Sequence, residues 1–123
     1  VYGTLSNTDG EDPLDFDALM ANPAEYFAVA CNVETGEPVY LDKSCITRDH
    51  YDVCKASCAL PVACHPYEAG GVLCLDGGMA DPVPIQKAVD DGCDKVGRIL
   101  TKPRDTVRQA KDDAIFAKLL RLR

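Results

Sequence analysis

A nearly continuous apolar run at residues 26–33 limits the fold of this chain more than any other segment. It reads Tyr-Phe-Ala-Val-Ala-Cys-Asn-Val and does not alternate between apolar and polar side chains. This pattern is typical of a strand that is buried on both faces. Turn-forming residues at 34–37 and a second apolar segment at 38–41 predict that the strand continues into a β-hairpin.

Helical and strand patterns alternate along the rest of the chain. Helices are predicted over residues 15–22, 50–58, about 84–91 and 106–123. Asp15 or Asp17 is the expected cap of the first helix, and Asp49 that of the second. Further buried strands are predicted at residues 72–75 and 95–101, with loops at 1–13 and around 66–71.

Strands that are separated by helices and lack polar alternation predict an α/β fold, with a sheet that helices cover on both faces. About four strands without a closing edge are few for a complete sheet of this kind. We therefore expect a truncated fold.

Charge and cysteine content narrow the functional classes. Twenty acidic and 13 basic residues give a net charge of −7, which argues against a broad nucleic-acid surface. Seven cysteines cannot all pair within one chain. Most of them have apolar neighbours, which favours free thiols in a reducing compartment, so we expect a cytoplasmic protein.

The stretch at residues 72–84 carries the strongest chemical signal. Asp76 lies at the carboxyl end of a predicted strand, where open α/β sheets place ligands and catalytic groups. Gly77 and Gly78 allow a sharp turn and leave room for another group beside the carboxylate. From these residues alone two interpretations stay open: a catalytic carboxylate, or an aspartate that caps its own turn.

Thiol chemistry is a weaker interpretation. Cys54 and Cys58 share one face of a predicted helix, and Cys64 and His65 follow. The spacing matches no common zinc pattern, and an apolar helix face explains the thiol pair equally well. Cys64 and His65 are adjacent, so they cannot face each other as a nucleophile and its base. We expect no metal and no cofactor, and a cysteine-rich metal-binding protein is only a minor alternative.

Three segments together resemble the patatin-like phospholipases, a family of α/β lipid acyl hydrolases. The Asp-Gly-Gly at residues 76–78, followed by Asp-Pro-Val-Pro at 81–84, is similar to the family's second signature. Residues 55–61 resemble its Ala-Ser-x-Ala-x-Pro pattern, and residues 27–36 its strand and turn into a hairpin. Order and spacing agree over roughly residues 15–104.

The resemblance implies a three-layer α/β/α fold and a Ser-Asp dyad that cleaves carboxylic esters of lipids. Asp76 would be the base that takes the proton of the serine hydroxyl, with Gly77 and Gly78 supporting the motif. Asp81 would shape the loop behind Asp76, and Pro84 would start the next helix.

The family's nucleophile lies in a Gly-x-Ser-x-Gly elbow after a glycine-rich oxyanion loop, and neither is present. None of the three serines, Ser6, Ser44 and Ser57, has glycines at the second position on each side. We therefore expect residues 1–123 to be the C-terminal part of one patatin-like domain, inactive by itself, with the nucleophilic serine upstream of residue 1. The competing hypothesis is a non-catalytic patatin-fold module for binding or scaffolding.

Two partner surfaces follow from this interpretation. Residues 105–123 form a predicted basic helix, for which peripheral contact with anionic lipid headgroups is the alternative to packing on the rest of the domain. The sheet face that truncation leaves uncovered is expected to promote self-association.

Overall fold

The computed structural model describes residues 2–99 together with Pro103 and Thr106. The chain divides after Val83 into two compact units. The helices and strands are α1 (Phe16–Ala21), β1 (Phe27–Asn32), β2 (Pro38–Asp42), α2 (Asp52–Ser57), β3 (Tyr67–Ala69), β4 (Val72–Asp76) and α3 (Ile85–Asp90). Short 3-10 turns cover Lys43–Cys45 and Gly77–Met79.

Helix α1 begins and ends where the sequence predicts. The carboxylate of Asp15 accepts a hydrogen bond of 2.9 Å from the Ala18 amide, so Asp15 is the cap. The helix ends before Pro23, which cannot continue it. Residues 2–12, which precede it, form turns and bends.

The four strands form one sheet in the order β2-β1-β4-β3, and each neighbouring pair is antiparallel. The predicted hairpin of β1 and β2 is confirmed, with Val29 opposite Tyr40. The pairing of β1 with β4 places Ala30 opposite Asp76. The sheet, the helices and their order are compatible with the predicted α/β class.

Strand β3 lies where the sequence predicts a loop. It pairs with β4 across a two-residue turn at Gly70 and Gly71, whose φ angles of +59° and +79° are those of a type I′ hairpin. With three residues, one of them Glu68, it is too short and too polar to show a strand pattern.

One face of the sheet carries the core. Alanines at positions 28 and 30 of β1 are buried, and their small side chains let α2 pack closely on the sheet. Helix α2 contributes Val53 and Ala56, and the preceding Tyr51 is 1% exposed. These contacts hold α2 across β1, β3 and β4.

The prediction for the start and the buried face of α2 is wrong in two details. Asp49 does not cap the helix, because its carboxylate accepts hydrogen bonds from the amide and hydroxyl of Thr8. Helix α2 begins after Tyr51 without a side-chain cap. Cys58, expected on the buried face, is exposed because the helix ends at Ser57 and the chain turns away.

The opposite face of the sheet carries side chains from the alternate positions of each strand. Phe27 of β1 and Leu73 of β4 are 38% and 46% exposed there, whereas Cys31 is buried. The predicted third layer on this face stays a prediction.

In the second unit, helix α3 confirms the predicted helix. Pro84 precedes it, and Gly92 follows it with a φ of +92°, a conformation that favours glycine after a helix. The strand predicted at residues 95–101 is wrong over its described part. Residues 95–99 are exposed and form no strand, because none of the strands in the described part of the chain pairs with them. Residues 100–101 and the helix predicted beyond Thr106 lie outside the described residues.

A membrane-spanning helix would need a longer apolar segment than any helix in the described part of the chain provides.

Candidate active site

Asp76 is the last residue of β4, at the position predicted from the sequence. It pairs across the sheet with Ala30, and its side chain is partly buried. Its backbone amide donates a 2.9 Å hydrogen bond to the carbonyl of Ala59, in the segment that follows α2. The sheet and this segment together fix the backbone from which the carboxylate projects.

The carboxylate of Asp76 caps the turn that follows it. Oδ1 accepts a 2.7 Å hydrogen bond from the Gly78 amide, at the start of the 3-10 turn Gly77–Met79. No other group of the described residues donates to the carboxylate, so Oδ2 is the oxygen that remains able to take up a proton. Asp76 therefore caps its own turn, as the structural interpretation predicts. Its other oxygen is still available for the catalytic interpretation.

The two glycines serve the site in different ways. A Cβ atom on Gly77 would lie 2.1 Å from the carbonyl oxygen of Val29, so only glycine lets the turn approach β1 this closely. The space beside Gly77 is thus filled by backbone. A Cβ atom on Gly78 would lie 3.0 Å from Oδ1 of Asp76. The space next to the carboxylate therefore depends on Gly78.

The loop after the turn is tied to both its start and the sheet. The amides of Ala80 and Asp81 donate to the Gly77 carbonyl at 3.1 and 2.9 Å. The hydroxyl of Tyr40 on β2 donates to Oδ2 of Asp81 at 2.7 Å. Asp81 shapes the loop behind Asp76 through these bonds. Sequence reasoning missed Tyr40, because no residue near it in the chain indicates its contact with Asp81.

A match to a protein family covers this whole arrangement. The model of the patatin-like phospholipase family matches residues 12–89, well over half of the chain. The chain belongs to the patatin-like phospholipase family. No curated protein sequence matches it. The patatin-like match includes β1, α2 and the Asp-Gly-Gly turn after β4, the three segments on which the resemblance depended.

In the patatin-like chain the three serines are spread over different elements. Ser6 lies in the N-terminal turns, Ser44 in the 3-10 turn after β2, and Ser57 at the end of α2. Within residues 2–99, none of their hydroxyls donates to Asp76. The described residues therefore supply a carboxylate and its supporting turn. None of the three serines forms a hydrogen bond to that carboxylate.

The thiol of Cys58, which lies near Asp76, is a poor nucleophile. Burial and the negative charge of Asp76 raise the pKa of Cys58. Cys54, one turn earlier, lies 3.8 Å from the hydroxyl of Tyr26, and burial together with this thiol raises the pKa of Tyr26 to about 12. The raised pKa of Cys58 favours its protonated thiol at neutral pH, which argues against thiolate chemistry at Cys58.

The sequence also singled out Cys64 and His65. Cys64 is partly buried and His65 is exposed. Over the part of the chain that the structure describes, no three His, Cys, Asp or Glu side chains are grouped to hold a metal ion.

Cys54 is also part of the wall of an apolar cavity of about 250 Å³. Its wall includes Leu14, Leu19 and Ile46, with the rings of Tyr26 and Tyr51. Cys54 lines this cavity. Cys58, whose pKa is raised by burial and by the charge of Asp76, follows Cys54 by one helical turn.

Proposed function

We propose that this chain provides the general base of a lipid acyl hydrolase, with Asp76 as the base and the nucleophilic serine outside residues 1–123. The observation that carries the proposal is the carboxylate of Asp76, whose Oδ1 is fixed by the Gly78 amide and whose Oδ2 accepts no hydrogen bond from the described residues. The absence of a Gly-x-Ser-x-Gly elbow from the sequence supports a serine located elsewhere in a longer polypeptide.

In the proposed reaction Asp76 accepts the proton of the serine hydroxyl as the oxygen attacks the ester carbonyl. The alcohol part of the lipid leaves with that proton, and the acyl group remains on the serine. A water molecule then gives its proton to Asp76, attacks the acyl-enzyme and releases the carboxylic acid, and the proton returns to the serine. Because a carboxylate is a weak base, the serine must lie within hydrogen-bond distance of Oδ2.

Two observations support a lipid ester as substrate. Family membership makes the chain part of a group of lipid acyl hydrolases. The apolar cavity beside Cys54 offers a wall of aliphatic and aromatic side chains that would accommodate part of an acyl chain.

The deciding experiment uses the full-length natural polypeptide that contains this chain, treated with a fluorophosphonate, which labels activated serines. We expect one adduct, mapped by mass spectrometry to a serine outside residues 1–123. Asp76→Asn should lower the labelling rate and the ester hydrolysis rate by about 10²- to 10⁴-fold. The exposed Asp94 offers a matched control, since Asp94→Asn removes the same charge and should leave both rates unchanged.

The competing function is a non-catalytic patatin-fold module for binding or scaffolding. The bond between the Gly78 amide and Asp76 favours it, because a turn-capping aspartate has a sufficient structural role. A folded full-length protein that takes up no fluorophosphonate and hydrolyses no ester would establish this alternative in place of the hydrolase. An Asp76→Asn variant with full hydrolysis would instead remove Asp76 as the base.

The remaining expectations stay predictions. They are a three-layer fold present as a C-terminal fragment, a cytoplasmic location, peripheral membrane contact through residues 105–123, and self-association through the exposed face of the truncated sheet. Light scattering tests the last of these directly, because a monomeric and cooperatively melting chain would contradict it.

A further inference from the structure

We propose that Tyr40 is a positioning residue for Asp76 and that it acts through Asp81. The proposal rests on the proposed function, since it concerns the orientation of the base. Tyr40 lies on β2, which is separated from Asp76 by β1 in the sheet.

A closed ring of contacts links Tyr40 to the Asp-Gly-Gly turn that follows β4. Tyr40 is the cross-strand partner of Val29. The carbonyl of Val29 faces Gly77 so closely that no Cβ fits between them. The Gly77 carbonyl accepts the amide of Asp81, and the Asp81 carboxylate accepts the Tyr40 hydroxyl at 2.7 Å. The ring therefore fixes the turn at two points on neighbouring strands.

The link from Tyr40 to Asp81 is suited to this role. An O–H···O⁻ bond is among the stronger hydrogen bonds in proteins, and both residues are partly shielded from water. Its loss would leave the partly buried carboxylate of Asp81 without its phenol donor, at a cost in free energy. The loop would then move toward solvent to hydrate that carboxylate.

Such a movement reaches Asp76 directly. Gly77 follows Asp76 in the chain, and the Gly78 amide holds Oδ1 of Asp76 at 2.7 Å. A rotation of the loop about Gly77 therefore changes the direction of the carboxylate without touching the fold of the sheet. Small displacements of a catalytic group are costly, because the base must lie within hydrogen-bond distance of its serine.

The test measures kcat and KM for ester hydrolysis by the full-length natural polypeptide, with active sites counted by fluorophosphonate labelling. We expect Tyr40→Phe and Asp81→Ala each to lower kcat per active site by about tenfold or more, with KM nearly unchanged. The double variant should be no slower than either single variant, because the two substitutions remove the same hydrogen bond. Asp81→Asn keeps an acceptor oxygen and should stay within about threefold of the parent.

Tyr67→Phe is the matched control, since it removes a hydroxyl from an exposed tyrosine on β3 and should leave kcat unchanged. A Tyr40→Phe variant with a lower melting temperature and an unaltered kcat would overturn the proposal, because the bond would then serve only stability. If Tyr40→Phe does not melt cooperatively, Asp81→Ala breaks the same bond from the other side and decides. Loss of folding in both variants would also overturn it.

The outcome for the proposed function is separate. If Asp76→Asn is fully active, the assignment of the base fails, whatever Tyr40 does. If Asp76→Asn is inactive and Tyr40→Phe has full kcat, only the positioning role fails.

Discussion

Two pairs of adjacent glycines lie at the two ends of β4 and serve opposite purposes. Gly70 and Gly71 precede the strand and both have positive φ angles, which form the tight turn from β3. Gly77 and Gly78 follow the strand and have no such angles. Gly77 instead allows close approach to the backbone of β1.

The difference shows that a Gly-Gly pair can be needed either for the local backbone conformation or for a tertiary contact. The first pair is needed because of backbone conformation, which short-range sequence largely determines. The second is needed because of a neighbour that only the folded chain brings near. Substitutions at the two sites should therefore have different physical signatures.

The largest effect is expected for Gly77→Ala. The added methyl would lie 2.1 Å from the Val29 carbonyl oxygen, and backbone on both sides cannot move away cheaply. We expect the free energy of unfolding to fall by about 3 kcal/mol, measured by urea denaturation of the full-length protein. A loss below about 1 kcal/mol would show that the turn can move away from β1. Gly77 would then not be required by its tertiary contact.

A smaller effect is expected for Gly78→Ala, and it should appear in activity. The methyl would lie 3.0 Å from Oδ1 of Asp76, which must shift by a few tenths of an ångström. We expect ester hydrolysis to slow by about tenfold while the unfolding free energy changes by less than about 1 kcal/mol. An unaltered rate would mean that the orientation of the carboxylate is not critical for the reaction.

The smallest effect is expected for Gly71→Ala. No atom lies within 4 Å of the added methyl, so the cost comes only from the φ of +79°. We expect a loss of about 1 kcal/mol in the free energy of unfolding, with ester hydrolysis unchanged. Gly71→Asn should recover part of that loss, because asparagine tolerates this conformation better than alanine. Equal losses for both variants would show that conformation is not the reason for glycine here.

The parts of the fold that sequence predicted are those encoded by neighbouring residues. The cap of α1 at Asp15, the hairpin of β1 and β2, and the position of Asp76 at the end of β4 all follow from patterns within a few positions. The position of Asp76 and its two glycines was predicted in this way, whereas the role of Asp76 as the base stays a prediction.

The parts that sequence missed depend on distant partners. Asp49 has a suitable position for a cap, yet its carboxylate binds Thr8, far away in the chain. Tyr40 has the sequence pattern of an ordinary strand residue, because none of its neighbours in the chain indicates a contact with Asp81. The predicted strand at residues 95–101 failed over its described part because a strand pattern does not guarantee a neighbour to pair with.

The sheet order has a consequence for how the site is acquired during folding. Both hairpins connect strands that are adjacent in sequence, so they are expected to form on the microsecond timescale. The pairing of Ala30 with Asp76 instead joins the two hairpins across the whole of α2, and contacts of such separation are slow to close. Because the Asp-Gly-Gly turn leans on β1, the carboxylate is oriented only after this step. A destabilised hairpin junction would therefore leave much of the secondary structure intact and abolish the orientation of the Asp76 carboxylate first.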